Sequence, residues 1–121
     1  TVGCVFDETT MFKLTALEIA NCSCTDAIGL PDPFVTLQSP SSSASTNTCS
    51  DVVGCKFSSG SIDVTAGDLV AGKVTFHVYD EDTSFDDDCG GGAIKLPSPI
   101  VPATYEVSVG GQTFTFKVDA K

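Results

Sequence analysis

Apolar and polar residues alternate with period two in five short runs: FKLTALEIA at 12–20, PFVTLQ at 33–38, KVTFHVYD at 73–80, TYEVSVG at 104–110 and TFTFKVDA at 113–120. Successive side chains of a strand point to opposite faces, so these runs predict β-strands with one face turned to a core. Turn-forming segments separate them: GLPDP at 29–33, SPSSSAS at 39–45, SSGS at 58–61 and the glycine pair 110–111, which suits a tight hairpin between the last two strands. No window sustains a helical period over three turns, although SIDVTAGDLV at 61–70 has room for one. The pattern predicts an all-β domain: about eight antiparallel strands in a Greek-key β-sandwich. The serine-rich SPSSSASTNT at 39–48 reads as a flexible loop inside a single domain spanning 1–121.

Composition narrows the function classes. A chain of 121 residues is long enough to bury a core by itself. Its formal charge of -10 sets 16 acidic residues against six lysines and no arginine, so no basic stripe is available for a nucleic-acid backbone. Six cysteines in so short a chain predict disulfides and an oxidising, secreted or extracellular setting. Zinc would compete for the CSC at 22–24, but the chain has one histidine, His77, and no CxxC pair. No apolar run approaches the ~18 residues of a membrane span, and no signal peptide is seen; the start at Thr1 reads as a mature form or an excised module. NCS at 21–23 matches a glycosylation acceptor, a short motif of low weight. His77 sits mid-strand without a nucleophile beside it in sequence, and clustered aspartates do not divide into an acid and a base, so no enzyme is expected.

The acidic residues are unevenly placed. Asp26 and Asp32 flank AIGLP, and DEDTSFDDDCGG at 80–91 packs Asp80, Glu81, Asp82, Asp86, Asp87 and Asp88 around Phe85. Each group follows a predicted strand, and loops at one end of a sandwich lie side by side. Carboxylates ~4 Å apart repel by about a kilocalorie or more, and six scattered lysines do not offset that. A hard divalent cation does; calcium, with six to eight oxygens in flexible geometry, suits such loops better than magnesium. A one-loop EF-hand fails, because Phe85 stands at its glycine position and Gly91 at its glutamate position.

In these residues the chain resembles the C2 domain, a calcium-dependent membrane-binding β-sandwich. LTALEIANC resembles that family's opening strand, DAIGLPDPFVTL its first calcium loop and next strand, and VTFHVYDEDTSFDDDCGG the strand and third loop that complete the site. The resemblance implies two or three calcium ions held by Asp26, Asp32, Asp80, Asp82 and Asp88, with Asp86 secondary and Glu81 offering its main-chain oxygen. It implies Ile28, Leu30 and Phe85 as loop-tip residues meeting a phospholipid surface. The asparagine-proline-tryptophan-asparagine-glutamate signature of that family is missing between 45 and 72, where Cys49 and Cys55 appear instead. Placed on this frame, a bridge from Cys22 or Cys24 to Cys89 would tether the two loops, Cys49–Cys55 would close a local loop, and Cys4 would take the remaining partner. The expected function is calcium-dependent phospholipid binding by a monomeric, secreted module; the alternative is a calcium-braced structural or adhesive module whose partner is a neighbouring domain or a glycan.

Overall fold

A computed structural model describes residues 7–22, 24, 29–81 and 87–121, residue 87 by its backbone. The described elements, in order, are β1 (Met11–Ala20), β2 (Pro33–Gln38), β3 (Ser43–Ser45), β4 (Cys55–Lys56), β5 (Ser61–Thr65), α1 (Ala66–Ala71), β6 (Val74–Asp80), β7 (Asp87–Ile94), β8 (Ala103–Val109) and β9 (Gln112–Ala120). One antiparallel sheet runs β4-β1-β9-β8, with β5 also pairing with β1; the other runs β3-β2-β6-β7. The chain changes sheets between β1 and β2, β3 and β4, β5 and β6, and β7 and β8, as the Greek-key sandwich predicts.

Alternation in the sequence becomes burial in the fold. Phe12, Leu14 and Ala16 face the core, then the parity changes and Ile19 is the next core residue. A register irregularity between Ala16 and Glu18, in the pairing with β9, accounts for the change. From β9, Phe114, Phe116 and Val118 are fully buried, and Phe114 stacks on Phe76 of β6 with ring centroids 4.8 Å apart, joining the two sheets. Gly110 and Gly111 both take positive φ (59° and 83°), which a two-residue turn matched to strand twist requires, and they close the β8–β9 hairpin.

Three segments differ from the sequence reading. The serine-rich stretch holds β3, paired with β2, and buried Thr46 accepts the Val35 amide at 2.9 Å, so it is a hairpin rather than a structureless loop. SIDVTAGDLV divides into β5 and the single turn α1, where Thr65 Oγ1 caps the Asp68 amide and Gly72 ends the helix left-handed. The acidic run does not stay a loop to Gly91, because β7 begins at Asp87. That strand was hidden by its glycines, of which Gly91 lies tightly against β6: a Cβ there would meet the Phe76 carbonyl oxygen at 2.0 Å. Gly91→Ala is therefore expected to cost about 1–3 kcal/mol in denaturant unfolding. An unchanged unfolding midpoint contradicts that close packing.

Candidate functional site

β2 begins where β6 ends, with Pro33 opposite Asp80, and Asp80 stands opposite Asp87 of β7. This register gathers three connections at one end of the sandwich: 21–32, the segment after Asp80, and the 46–54 segment that leads into β4. Backbone bonds fasten the third to the first, from Val52 to the Pro31 carbonyl and Cys22 to the Val53 carbonyl, and to the start of β2, from Cys49 to the Pro33 carbonyl.

Asp80 is the centre of this end. The alternation of β6 turns its carboxyl group inward, at 0% exposure. Its Oδ1 accepts the Asp32 amide at 2.9 Å, and its Oδ2 is buried with no hydrogen-bond partner among the described residues. Leaving such an oxygen unpaired costs about 1–3 kcal/mol, more when charged, so the fold carries a penalty here that a cation would relieve. Asp32 is held at three points: its amide by Asp80, its carbonyl by the Glu81 amide at 3.0 Å, and its Oδ1 by the Asp51 amide at 2.6 Å. Among the described residues the ion pairs are Lys117–Asp119 and Lys121–Asp63, so no described lysine pairs with Asp32, Asp51, Asp80 or Asp88.

The structure brings together Asp32 and Asp80, with the Glu81 backbone beside them. It does not place Asp88 with them. Asp88 pairs in register with Tyr79, which puts it on the face of the β6–β7 ribbon opposite Asp80, and its exposed Oδ1 accepts the Gly90 amide at 2.9 Å. Asp26, Asp82, Asp86, Ile28 and Phe85 lie outside the described residues. Leu30 is 49% exposed, and Val53, which sequence reasoning passed over, is 46% exposed on the adjoining segment. Asp51 was also passed over: its bonds to this site span 19 and 21 residues, and no local motif announces them.

The bridge between the loop roots forms from Cys24 to Cys89, and Cys49 bonds Cys55. Cys24 having taken Cys89, Cys22 is a buried thiol with no disulfide partner among the described residues. Cys4 lies outside the described residues. Among the described residues, the metal-type ligand atoms of three side chains come within 4.8 Å of one another at Cys22, Cys24 and Cys89, but two of those sulfurs are bonded to each other. Burial pushes the Cys22 thiol above its ordinary pKa; the Cys24 backbone hydrogen bond opposes this and the Asp80 charge adds to it.

Models of known protein families give no match to the chain, and neither do curated protein sequences. Solved structures do. A solved C2 domain aligns over 92% of this chain and 99% of its own, at a TM-score of 0.69 and 15% identity. The calcium-bound pair of C2 domains from extended-synaptotagmin 2 aligns over 96% of this chain and 47% of its own, at 0.72 and 13%. Human GIVD cytosolic phospholipase A2, in complex with a methyl gamma-linolenyl fluorophosphonate inhibitor and terbium chloride, aligns over 94% of this chain at 0.71 and 20%. The chain spans only 18% of that phospholipase. At these identities the likeness is one of fold, and it agrees with the two antiparallel sheets described above: the chain has a C2-like β-sandwich fold.

Proposed function

We propose that this domain binds calcium at its acidic end and, through it, a phospholipid surface. The observation that carries the reading is Asp80, a fully buried carboxylate with one oxygen unpartnered among the described residues, its other oxygen on the Asp32 amide at the root of two acidic loops. Asp32 and Asp80 would hold the ions from the described residues; Asp26, Asp82 and Asp86 and the Glu81 carbonyl are the further proposed ligands, to a total of two or three ions. Asp88, on the opposite face, is left out. Calcium supplies positive charge that offsets the carboxylates and open coordination positions for anionic oxygens. Two of the structurally similar proteins were solved with calcium or terbium.

The chain's own residues set how binding works. At a net charge of -10 the protein is repelled by an anionic membrane until the acidic end is neutralised, which makes attachment conditional on the ion. Exposed Leu30 and Val53 then offer apolar contact at the same end. Disulfides near both loops support a secreted setting, and the domain acts as a monomeric binding module without catalysis.

Sedimentation with phosphatidylserine-containing vesicles tests the reading. The protein pellets with about 1 mM calcium and stays in solution with chelator. Burying a leucine in lipid contributes about 1.5–3 kcal/mol, so Leu30→Ser weakens pelleting about tenfold or more. Calcium that raises the melting temperature without carrying the protein to vesicles would instead favour the structural or adhesive brace.

A further inference from the structure

We propose that Asp51 is a positioning residue for the calcium site, holding the first acidic loop in place from the adjoining disulfide-closed segment; the proposal rests on the calcium reading above. Asp51 lies between Cys49 and Cys55, which are bonded to each other, and takes a left-handed backbone conformation with φ 59°. Few side chains tolerate that conformation, aspartate and asparagine best after glycine. It allows one residue to grip the loop twice. The Asp51 amide donates to Asp32 Oδ1 at 2.6 Å, while Asp51 Oδ1 accepts the Leu30 amide at 3.1 Å.

A continuous chain of bonds follows, from the Leu30 backbone through Asp51 to the Asp32 carboxylate, and from the Asp32 amide to Asp80. It ends at Asp80, whose buried Oδ2, unpartnered among the described residues, points to a cation. Each of the three carboxylates accepts one backbone amide, and no described lysine pairs with any of them. The flanking bonds from Val52 to Pro31 and from Cys49 to Pro33 keep the segment in register with 30–33. Without the Asp51 carboxylate the Leu30 amide loses its acceptor, the loop gains freedom when metal-free, and that freedom must be given up on binding. Affinity falls although no ligand has been removed.

Calorimetric calcium titration of the wild type, Asp51→Ala and Asp51→Asn, each with a metal-free melting curve, tests this. Asn keeps both the left-handed backbone and the acceptor oxygen. Asp51→Ala is expected to bind calcium about tenfold more weakly with its metal-free melting temperature within about 3 °C, and Asp51→Asn to stay within about threefold of wild type. Should the alanine variant not fold, Asp51→Gly, which keeps the backbone conformation and amide, is expected to show the same tenfold loss. Unchanged affinity in Asp51→Ala or Asp51→Gly overturns the proposal, as does a lowered melting temperature at full affinity. An Asn variant as weak as Ala also overturns it, since the charge would then act as a ligand. A wild type that binds no calcium fails the calcium reading itself, a result distinguishable from all of these.

Discussion

Asp80→Asn is expected to lower calcium affinity by at least about 100-fold and to leave the metal-free fold intact or slightly more stable. Asn retains the Oδ1 that accepts the Asp32 amide, so the junction between the two loops persists. What it removes is a carboxylate at 0% exposure with one oxygen unpartnered among the described residues. An unpaired buried amide nitrogen still costs something, but less than an unpaired ion. In the wild type, calcium at about 100 times its dissociation constant adds about 2.7 kcal/mol, a melting shift of roughly 10 °C for a domain of this size. That shift disappears in the variant. Retained affinity within about threefold, or a metal-free melting temperature lowered by about 10 °C, would show that Asp80 is a structural group and not the site's deepest ligand.

The second large effect is on the scaffold that carries the site. Cys24 and Cys89 are 65 residues apart, and closing a loop of that length restricts the unfolded chain by about 4 kcal/mol. Cys24→Ser/Cys89→Ser is expected to lower the melting temperature by roughly 15 °C. The double variant is the right one, since a single substitution leaves a second thiol beside Cys22. A loss below about 1 kcal/mol would mean that the bridge does not restrain the unfolded chain as its length implies. The same bridge joins the root of the first loop to the third residue of β7, so its removal also lets the acidic segments separate.

The long strands were legible because their apolar residues alternate without interruption: PFVTLQ, VTFHVYD and TFTFKVDA became β2, β6 and β9 with boundaries within a residue or two. β7 was not, because three consecutive glycines at the middle of DDCGGGAI break any alternation, and its reason for being a strand lies in β6, against which Gly91 packs. That same register decides Asp88. Spacing along the chain makes it a good ligand, but pairing with Tyr79 turns it to the other face, and pairing partners are not written in local sequence. That Asp32 and Asp80 meet was legible from the acidic loops that follow β1 and β6; the bonds of Asp51 to Asp32 and Leu30 were not, since they reach across the fold. Likewise the choice of Cys24 over Cys22 as the partner of Cys89 depends on geometry two residues apart.

Calorimetric titration of the intact protein with calcium, paired with melting curves, tests the central claim most directly. Saturable heat is expected, with a dissociation constant in the range of about 10⁻⁵ to 10⁻³ M, together with a melting temperature that rises with calcium and falls back with chelator. No heat and no shift at about 10 mM calcium would contradict it.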